Sequence, residues 1–192
     1  MRVIAGEAKG RPLKAVPGSQ TRPTTDKVKE AVFSMIGPFF DGGWALDLFA
    51  GTGGLGIEAI SRGMERAVFV DLERQSIDII RKNVAAANME DRAEIYKNDA
   101  RRAIKLLEKR NLAFRLVFLD PPYRMKDADA IMDELAVKGL VEPDAIVMVE
   151  HESGHHYSEQ TGAYIQLKRA VYGEIAVSIY RYQPDDQDTG GA

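Results

Sequence analysis

The stretch DLFAGTGGLGIEA, residues 47–59, sets Gly51, Gly53 and Gly56 in the spacing G-x-G-x-x-G between an apolar run and a helical pattern. Glycines so spaced permit a tight strand-to-helix turn and let a ligand approach the backbone closely. No Lys-Ser/Thr pair follows Gly56, so the loop is not a P-loop. Asp47 opens the stretch and Thr52 lies inside the turn. Asp71 ends the next apolar run, AVFVD, where a carboxylate can accept hydrogen bonds from both ribose hydroxyls. That chemistry serves NAD and S-adenosylmethionine alike, and a plain surface acid at a strand end is the simpler alternative.

A second constellation separates these readings. LVFLDPPY puts Asp120, Pro121, Pro122 and Tyr123 at the carboxyl end of another apolar run, the edge at which open α/β sheets bind ligands. Pro121 has no N–H, so the turn offers mainly carbonyl acceptors. An acid, a rigid carbonyl and an aromatic face suit a planar ring bearing an exocyclic amine. The amine donates to Asp120 and to the Pro121 carbonyl while Tyr123 stacks on the ring. A third match, HESGH at 151–155, has the H-E-x-x-H spacing of zinc proteases. That chemistry needs both histidines on one helical face. Here Ser153-Gly154 and a preceding strand predict a polar loop beside the ligand edge, so no metal site is expected.

These residues need elements to hold them. Strands are predicted at WALDLF (44–49), AVFVD (67–71), AEIYKND (93–99), LVFLD (116–120) and AIVMVE (145–150), with helices near 54–62, 73–87, 100–110 and 127–137. Strands as apolar as LVFLD require cover on both faces, which helical crossovers in a parallel sheet provide. The result is a doubly wound α/β domain over residues 41–183. It closes with an antiparallel hairpin, AYIQLKRAV-YGE-IAVSIYRY, which is unusual for a dinucleotide dehydrogenase. Ahead of it, residues 1–40 read as a basic hairpin followed by an amphipathic helix that Thr25 or Asp26 caps. Residues 184–192 read as a disordered acidic tail.

Composition narrows the setting. The 192 residues carry no cysteine, which excludes disulfides and thiolate zinc sites and fits a reducing cytoplasm. No apolar run reaches the length of a membrane span. Residues 1–30 hold seven Lys/Arg against three Asp/Glu, whereas the remaining 162 carry 19 against 26. A basic arm on an acidic body points to an anionic partner at the N-terminus. Lys9, Arg11 and Lys14 cluster at the first hairpin's turn and are the expected phosphate contacts. Arg22 and Thr24, in TRPTTDK, read as turn and cap residues.

RVIAGEAKGRPL, RPTTDKVKEAVFSMI, DLFAGTGGLGIEAISRG, DPPY and the terminal YGE hairpin together make the chain resemble the bacterial 16S ribosomal RNA guanine-N2 methyltransferases of the small subunit. The resemblance spans nearly the whole sequence. DPPY alone is shared with adenine-N6 methylases; the two N-terminal motifs joined to DLFAGTGGLG are far more specific. The resemblance implies a Rossmann-like class I S-adenosylmethionine-dependent methyltransferase with a mostly parallel seven-stranded sheet whose last strand is antiparallel. It implies cofactor contacts from Asp47, Gly51, Thr52, Gly53, Gly56 and Asp71, with Asp99 near adenine. Asp99 is otherwise a helix cap. It also implies a loop at Arg22 and Thr24 close to cofactor and target base, with Arg22 facing RNA. The implied partner is 16S ribosomal RNA or the small-subunit particle, met in the cytoplasm by a monomer. Three rivals stand beside this reading: an adenine-N6 methylase, which usually carries a further recognition domain; an NAD oxidoreductase, for which the core shows no convincing Lys, Tyr or His partner; and a non-catalytic ribosome-assembly factor.

Overall fold

A computed structural model of the chain describes residues 1–18 and 25–184. Arg22 and Thr24 lie outside the described residues, as does all but the first residue of the expected tail. Five strands, β1 (Trp44–Asp47), β2 (Arg66–Asp71), β3 (Ala93–Lys97), β4 (Phe114–Leu119) and β5 (Val141–Glu152), pair in parallel in the order β3-β2-β1-β4-β5. Helices α2 (Gly54–Ser61), α3 (Arg74–Ala86), α4 (Ala100–Glu108) and α5 (Ala128–Val137) make the crossovers, following α1 (Asp26–Ile36). The strand order reverses between β1 and β4, and the ligand crevice of such sheets lies at the carboxyl ends beside that reversal.

Each strand divides its side chains between two cores. Ala45, Phe69, Leu116, Phe118 and Met148 pack with α1, α2 and α3 on one face. Leu46, Val68, Val117, Leu119 and Val149 pack with α4 and α5 on the other. Both faces are therefore dry, which is why these strands read as continuous apolar runs with no polar alternation. Thr25, not Asp26, is the N-cap of α1: its Oγ accepts the Val28 amide at 3.3 Å.

The terminal hairpin forms as expected from β7 (Tyr164–Tyr172) and β8 (Ile175–Tyr182), joined at Gly173-Glu174 with Gly173 at φ +65°. β8 inserts antiparallel between β5 and β7. The sheet has eight strands among the described residues, one more than expected, because β6 (Gln160–Thr161) adds a two-residue ribbon at the β7 edge. β5 also outruns both expected ends: Val141 pairs with Phe114 of β4, and β8 pairs with the strand as far as Glu152. At the other terminus the hairpin is slight. Arg2 and Pro12 form one bridge, with Val3 N–H donating to Arg11 and Gly10 N–H to Val3. What anchors this segment is burial: Val3, Ala8 and Leu13 enter the same core as α1 and α2. No helix among the described residues is long and apolar enough to cross a membrane.

Candidate active site

Two strand-end carboxylates clasp the glycine turn. Asp47 Oδ2 accepts the Gly56 amide at 3.1 Å. Asp71 Oδ2 accepts the Gly51 amide at 2.8 Å, and its Oδ1 accepts the Glu73 amide at 2.9 Å. Gly51 and Gly53 sit at φ +56° and +78°, in the left-handed region that side-chain-bearing residues avoid. Gly56 serves packing instead: a Cβ there would fall 2.4 Å from the Phe69 ring, so only glycine lets α2 lie on β2. Thr52 Oγ caps the turn by accepting the Gly54 amide at 3.3 Å.

Asp47 is 2% exposed. Burial pushes its carboxyl up from 3.8 to about 7; the Gly56 hydrogen bond opposes that rise and the charge of Asp71 adds to it. Because the folded-state value is raised, the contribution of Asp47 to stability is full below about pH 4 and is lost as pH climbs through about 7. Asp47→Asn keeps an oxygen for the Gly56 amide and removes that loss. We expect the variant to gain on wild type between pH 4 and pH 8 by on the order of 2–4 kcal/mol, read by urea unfolding. An identical pH dependence in the two proteins would show that Asp47 does not titrate in this window.

Around the turn opens a cleft of about 490 Å³. Asp71, Leu72 and Glu73 line it from the end of β2, Asn98, Asp99 and Ala100 from the start of α4, and residues 120–125 from the segment after β4. Glu150 of β5, Lys29 of α1, Met1 and residues 16–18 complete the wall. The structure therefore brings Asp47, Gly51, Thr52, Asp71, Asp99, Asp120, Pro121, Pro122 and Tyr123 to one cavity; Gly53 and Gly56 stand behind it. Tyr123 is 49% exposed, an open aromatic face. Burial, then the charge of Glu150, then that of Asp47 hold the Asp120 carboxyl well above the usual range, although its residue keeps partial access to the cleft. Asp99 lines the cavity but also caps α4, its Oδ1 accepting the Arg101 and Arg102 amides. The helix-cap alternative is thus realised at Asp99, on a side chain that still borders the cleft.

Lys9, Arg11 and Lys14 are all exposed on the N-terminal segment. That segment is not a loose arm. Glu58, wholly buried in α2, accepts the Ile4 and Ala5 amides at 2.9 and 3.0 Å. Asn83 Oδ1 accepts the Lys14 amide, while its Nδ2 donates to the carbonyls of Lys14 and Thr52. One buried side-chain amide thereby bridges the basic segment to the glycine turn. HESGH departs from the polar loop expected for it. His151 lies inside β5, buried, with Nε2 3.0 Å from Ser178 Oγ, and His155 follows in the turn. Pairing with β8 draws His151 into the sheet.

Sequence reasoning passed over Lys29, Glu58, Asn83 and Glu150. Each carried a signal: a charged or amide residue at a position where helix or strand periodicity calls for an apolar one. Glu58 is the lone charge in the otherwise apolar GLGIEAIS, and Glu150 terminates AIVMVE.

The reversed strand wedged between β5 and β7 gives this sheet the topology of the Rossmann-like class I methyltransferases. The tRNA m1G37 methyltransferase of M. jannaschii shares the fold at a TM-score of 0.66, with 14% identity over 86% of this chain and 51% of that one. Closer likeness names the family. The model described as Conserved hypothetical protein 95 matches residues 1–181, and the chain belongs to that family. It is 46% identical to YlbH of Bacillus subtilis over 94% of this chain and 98% of that protein. It is 32% identical to ribosomal RNA small subunit methyltransferase D of Haemophilus influenzae, over 94% and 93% of the two chains. The solved structure of YhhF from Escherichia coli superposes with a TM-score of 0.81 at 29% identity, covering 95% of this chain and 98% of that one.

Proposed function

We propose that this protein transfers a methyl group from S-adenosylmethionine to the exocyclic N2 amine of a guanine in 16S ribosomal RNA. The observation that carries the reading is the shared cleft: the glycine turn and the Asp120–Tyr123 turn open into one cavity of about 490 Å³. A relative of 32% identity, named ribosomal RNA small subunit methyltransferase D, supports the RNA as substrate.

The donor set fits the cofactor. The desolvated carboxyl of Asp47 borders the cavity beside the glycine turn and suits the ammonium end of the ligand's amino-acid moiety. Asp71 faces the ribose, Leu72 (60% exposed) offers an apolar wall for adenine, and Gly51 leaves open space where a side chain would stand. S-adenosylmethionine supplies the electrophilic methyl.

The chain's own residues do the rest. Guanine N2 is a poor nucleophile because its lone pair is delocalised into the ring. Asp120 and the Pro121 carbonyl accept its two N–H bonds, which favours a pyramidal nitrogen with the lone pair turned towards the methyl. The same acceptors stabilise the positive charge that develops on nitrogen during transfer; the S–CH₃ bond breaks to leave S-adenosylhomocysteine, and the surplus N2 proton passes to Asp120 or to water. Tyr123 holds the ring by stacking, at an in-line approach of about 3–3.5 Å. The decisive experiment incubates undermethylated small subunits and their naked RNA with labelled cofactor, followed by mass spectrometry of the nucleosides. N2-methylguanosine is the expected product, and methyladenosine sinks the reading.

Lys9, Arg11 and Lys14 take the RNA backbone in this scheme. Arg11→Glu with Lys14→Glu is expected to raise the apparent Michaelis constant for RNA and to flatten its salt dependence, because fewer counterions are released on binding. S-adenosylhomocysteine affinity stays at the wild-type level, since Asn83 holds Lys14 through backbone groups that the substitution retains. RNA binding of the double variant with wild-type affinity and salt slope would move the contact elsewhere.

A further inference from the structure

Leu119 of β4 and Val149 of β5 are paired neighbours in parallel register; the residues that follow them are Asp120, just past the end of β4, and Glu150. Side chains alternate between the two cores: Phe118 and Met148 face the α1–α3 side, Leu119 and Val149 the α4–α5 side. Continuing the alternation returns Asp120 and Glu150 to one face, on adjacent strands roughly 4.8 Å apart. Both line the cleft, and Glu150 is only 5% exposed. The charge of Glu150 on Asp120, second only to burial in raising that carboxyl, reports the same proximity. The charges that act on the pair's neighbourhood come from Asp47 of β1 and from Tyr123 of the Asp120 turn; Lys29 of α1 lines the same cleft, but its ammonium is held 3.2 Å from Glu58. Asp120 alone accounts for an amine acceptor. A second buried carboxylate beside it has no part in the methyl transfer as derived above.

We propose that Glu150 is the specificity-determining residue of the base pocket, accepting the N1–H of guanine beside the N2 amine held by Asp120 and the Pro121 carbonyl. The inference rests on the guanine reading proposed above. A carboxylate oxygen accepts and does not donate, and Asp120 keeps an acceptor oxygen even with its carboxyl held above the usual range. Guanine presents adjacent N1–H and N2–H₂ donors along its Watson–Crick edge, which two neighbouring carboxylates can both satisfy. Adenine presents N6–H₂ beside the N1 lone pair. With its amine at Asp120, that lone pair would face the carboxylate of Glu150, leaving two buried acceptors opposed and desolvated. Bases taken out of the helix are read on this edge. A site built to bond a particular N–H rejects analogues that lack it far more strongly than an apolar pocket discriminates by size.

2-Aminopurine tests this contact, since it keeps the N2 amine and replaces N1–H with a lone pair; it also lacks O6, so the comparison with Glu150→Gln assigns the loss to N1. It is placed at the methylated position, once mapped, in an RNA substrate. Wild type is expected to lose at least about a hundredfold in kcat/KM on it relative to guanine. Glu150→Gln can donate its amide N–H to that lone pair, so the preference for guanine should shrink to less than about tenfold. Its turnover on guanine should fall while S-adenosylhomocysteine affinity remains that of wild type, a combination that simple misfolding does not produce. Unchanged discrimination in a folded Glu150→Gln protein overturns the proposal. So does wild-type enzyme that accepts 2-aminopurine as readily as guanine, a measurement that needs no variant to fold. A wild-type product of methyladenosine is a separate outcome; it overturns the guanine reading and this inference with it.

Discussion

Asp120→Ala is expected to lower turnover by at least about a hundredfold with little change in S-adenosylhomocysteine affinity. The reason lies in where the carboxylate stands. Asp120 leaves the end of β4 beside Pro121, on the β4–β5 side of the cleft, whereas Asp47, the glycine turn and Asp71 belong to β1 and β2. In the proposed mechanism, loss of the carboxylate removes an acceptor for the target amine and the charge that meets a developing cation, while the proposed cofactor contacts at Asp47, the glycine turn and Asp71 remain. Folding should not suffer. Burial raises this carboxyl in the folded state, so its ionised form costs stability near neutral pH, and that cost grows as pH rises from the ordinary carboxylate range. The alanine variant should therefore unfold at the same or a higher urea concentration than wild type at pH 8. Single-turnover methylation, calorimetry with S-adenosylhomocysteine and urea unfolding separate these effects. Turnover within threefold of wild type would remove Asp120 from the chemistry; a weakened cofactor with intact single-turnover rate would reassign it to cofactor binding.

Glu58→Ala is expected to cost about 3–5 kcal/mol of stability, the largest structural effect of any single substitution considered. Glu58 is fully buried and has four partners: the Ile4 and Ala5 amides, Arg62 Nε at 2.8 Å and Lys29 Nζ at 3.2 Å. Alanine leaves two enclosed cations and two amides without the acceptor that justified burying them. Lys29→Met should be milder. Burial is the largest cause acting on the Lys29 ammonium and carries it below its usual range despite Glu58, so its charged form is already a cost at neutral pH. Glu58 keeps Arg62 and both amides when Lys29 is gone. Lys29 also donates to the Arg2 carbonyl at 2.5 Å, which methionine forfeits. Urea unfolding of the two variants reads the asymmetry. Equal losses would mean that the lysine and the glutamate act only as a pair, and a Glu58→Ala loss under about 1 kcal/mol would mean that water replaces it. Proteolysis near residues 1–14 should accelerate in Glu58→Ala, because these amides hold the N-terminal segment on α2.

The glycine turn, the Asp71 position, the DPPY turn and the alternation of strand and helix were legible in the chain because each rests on local chemistry. A positive φ calls for glycine, proline removes an N–H, and a strand covered on both faces is apolar throughout. Those constraints act over a few residues, so sequence order alone locates them; the choice of Thr25 or Asp26 as cap of α1, and the capping role of Asp99, were left open. What sequence could not supply was contact between distant segments. Glu58 meets Ile4 across 54 positions, and Asn83 meets Lys14 across 69. No periodicity records such a meeting; it shows only as a polar residue standing where an apolar one was due. The two-residue β6 and the capture of His151 by β8 likewise depend on which edge a neighbouring strand happens to reach. The placement of Glu150 beside Asp120 belongs to the same class. The sequence carries both carboxylates, 30 residues apart, at the ends of two apolar runs. Only the parallel register of β4 and β5 makes them neighbours, because register is a property of the paired strands and is absent from either strand alone.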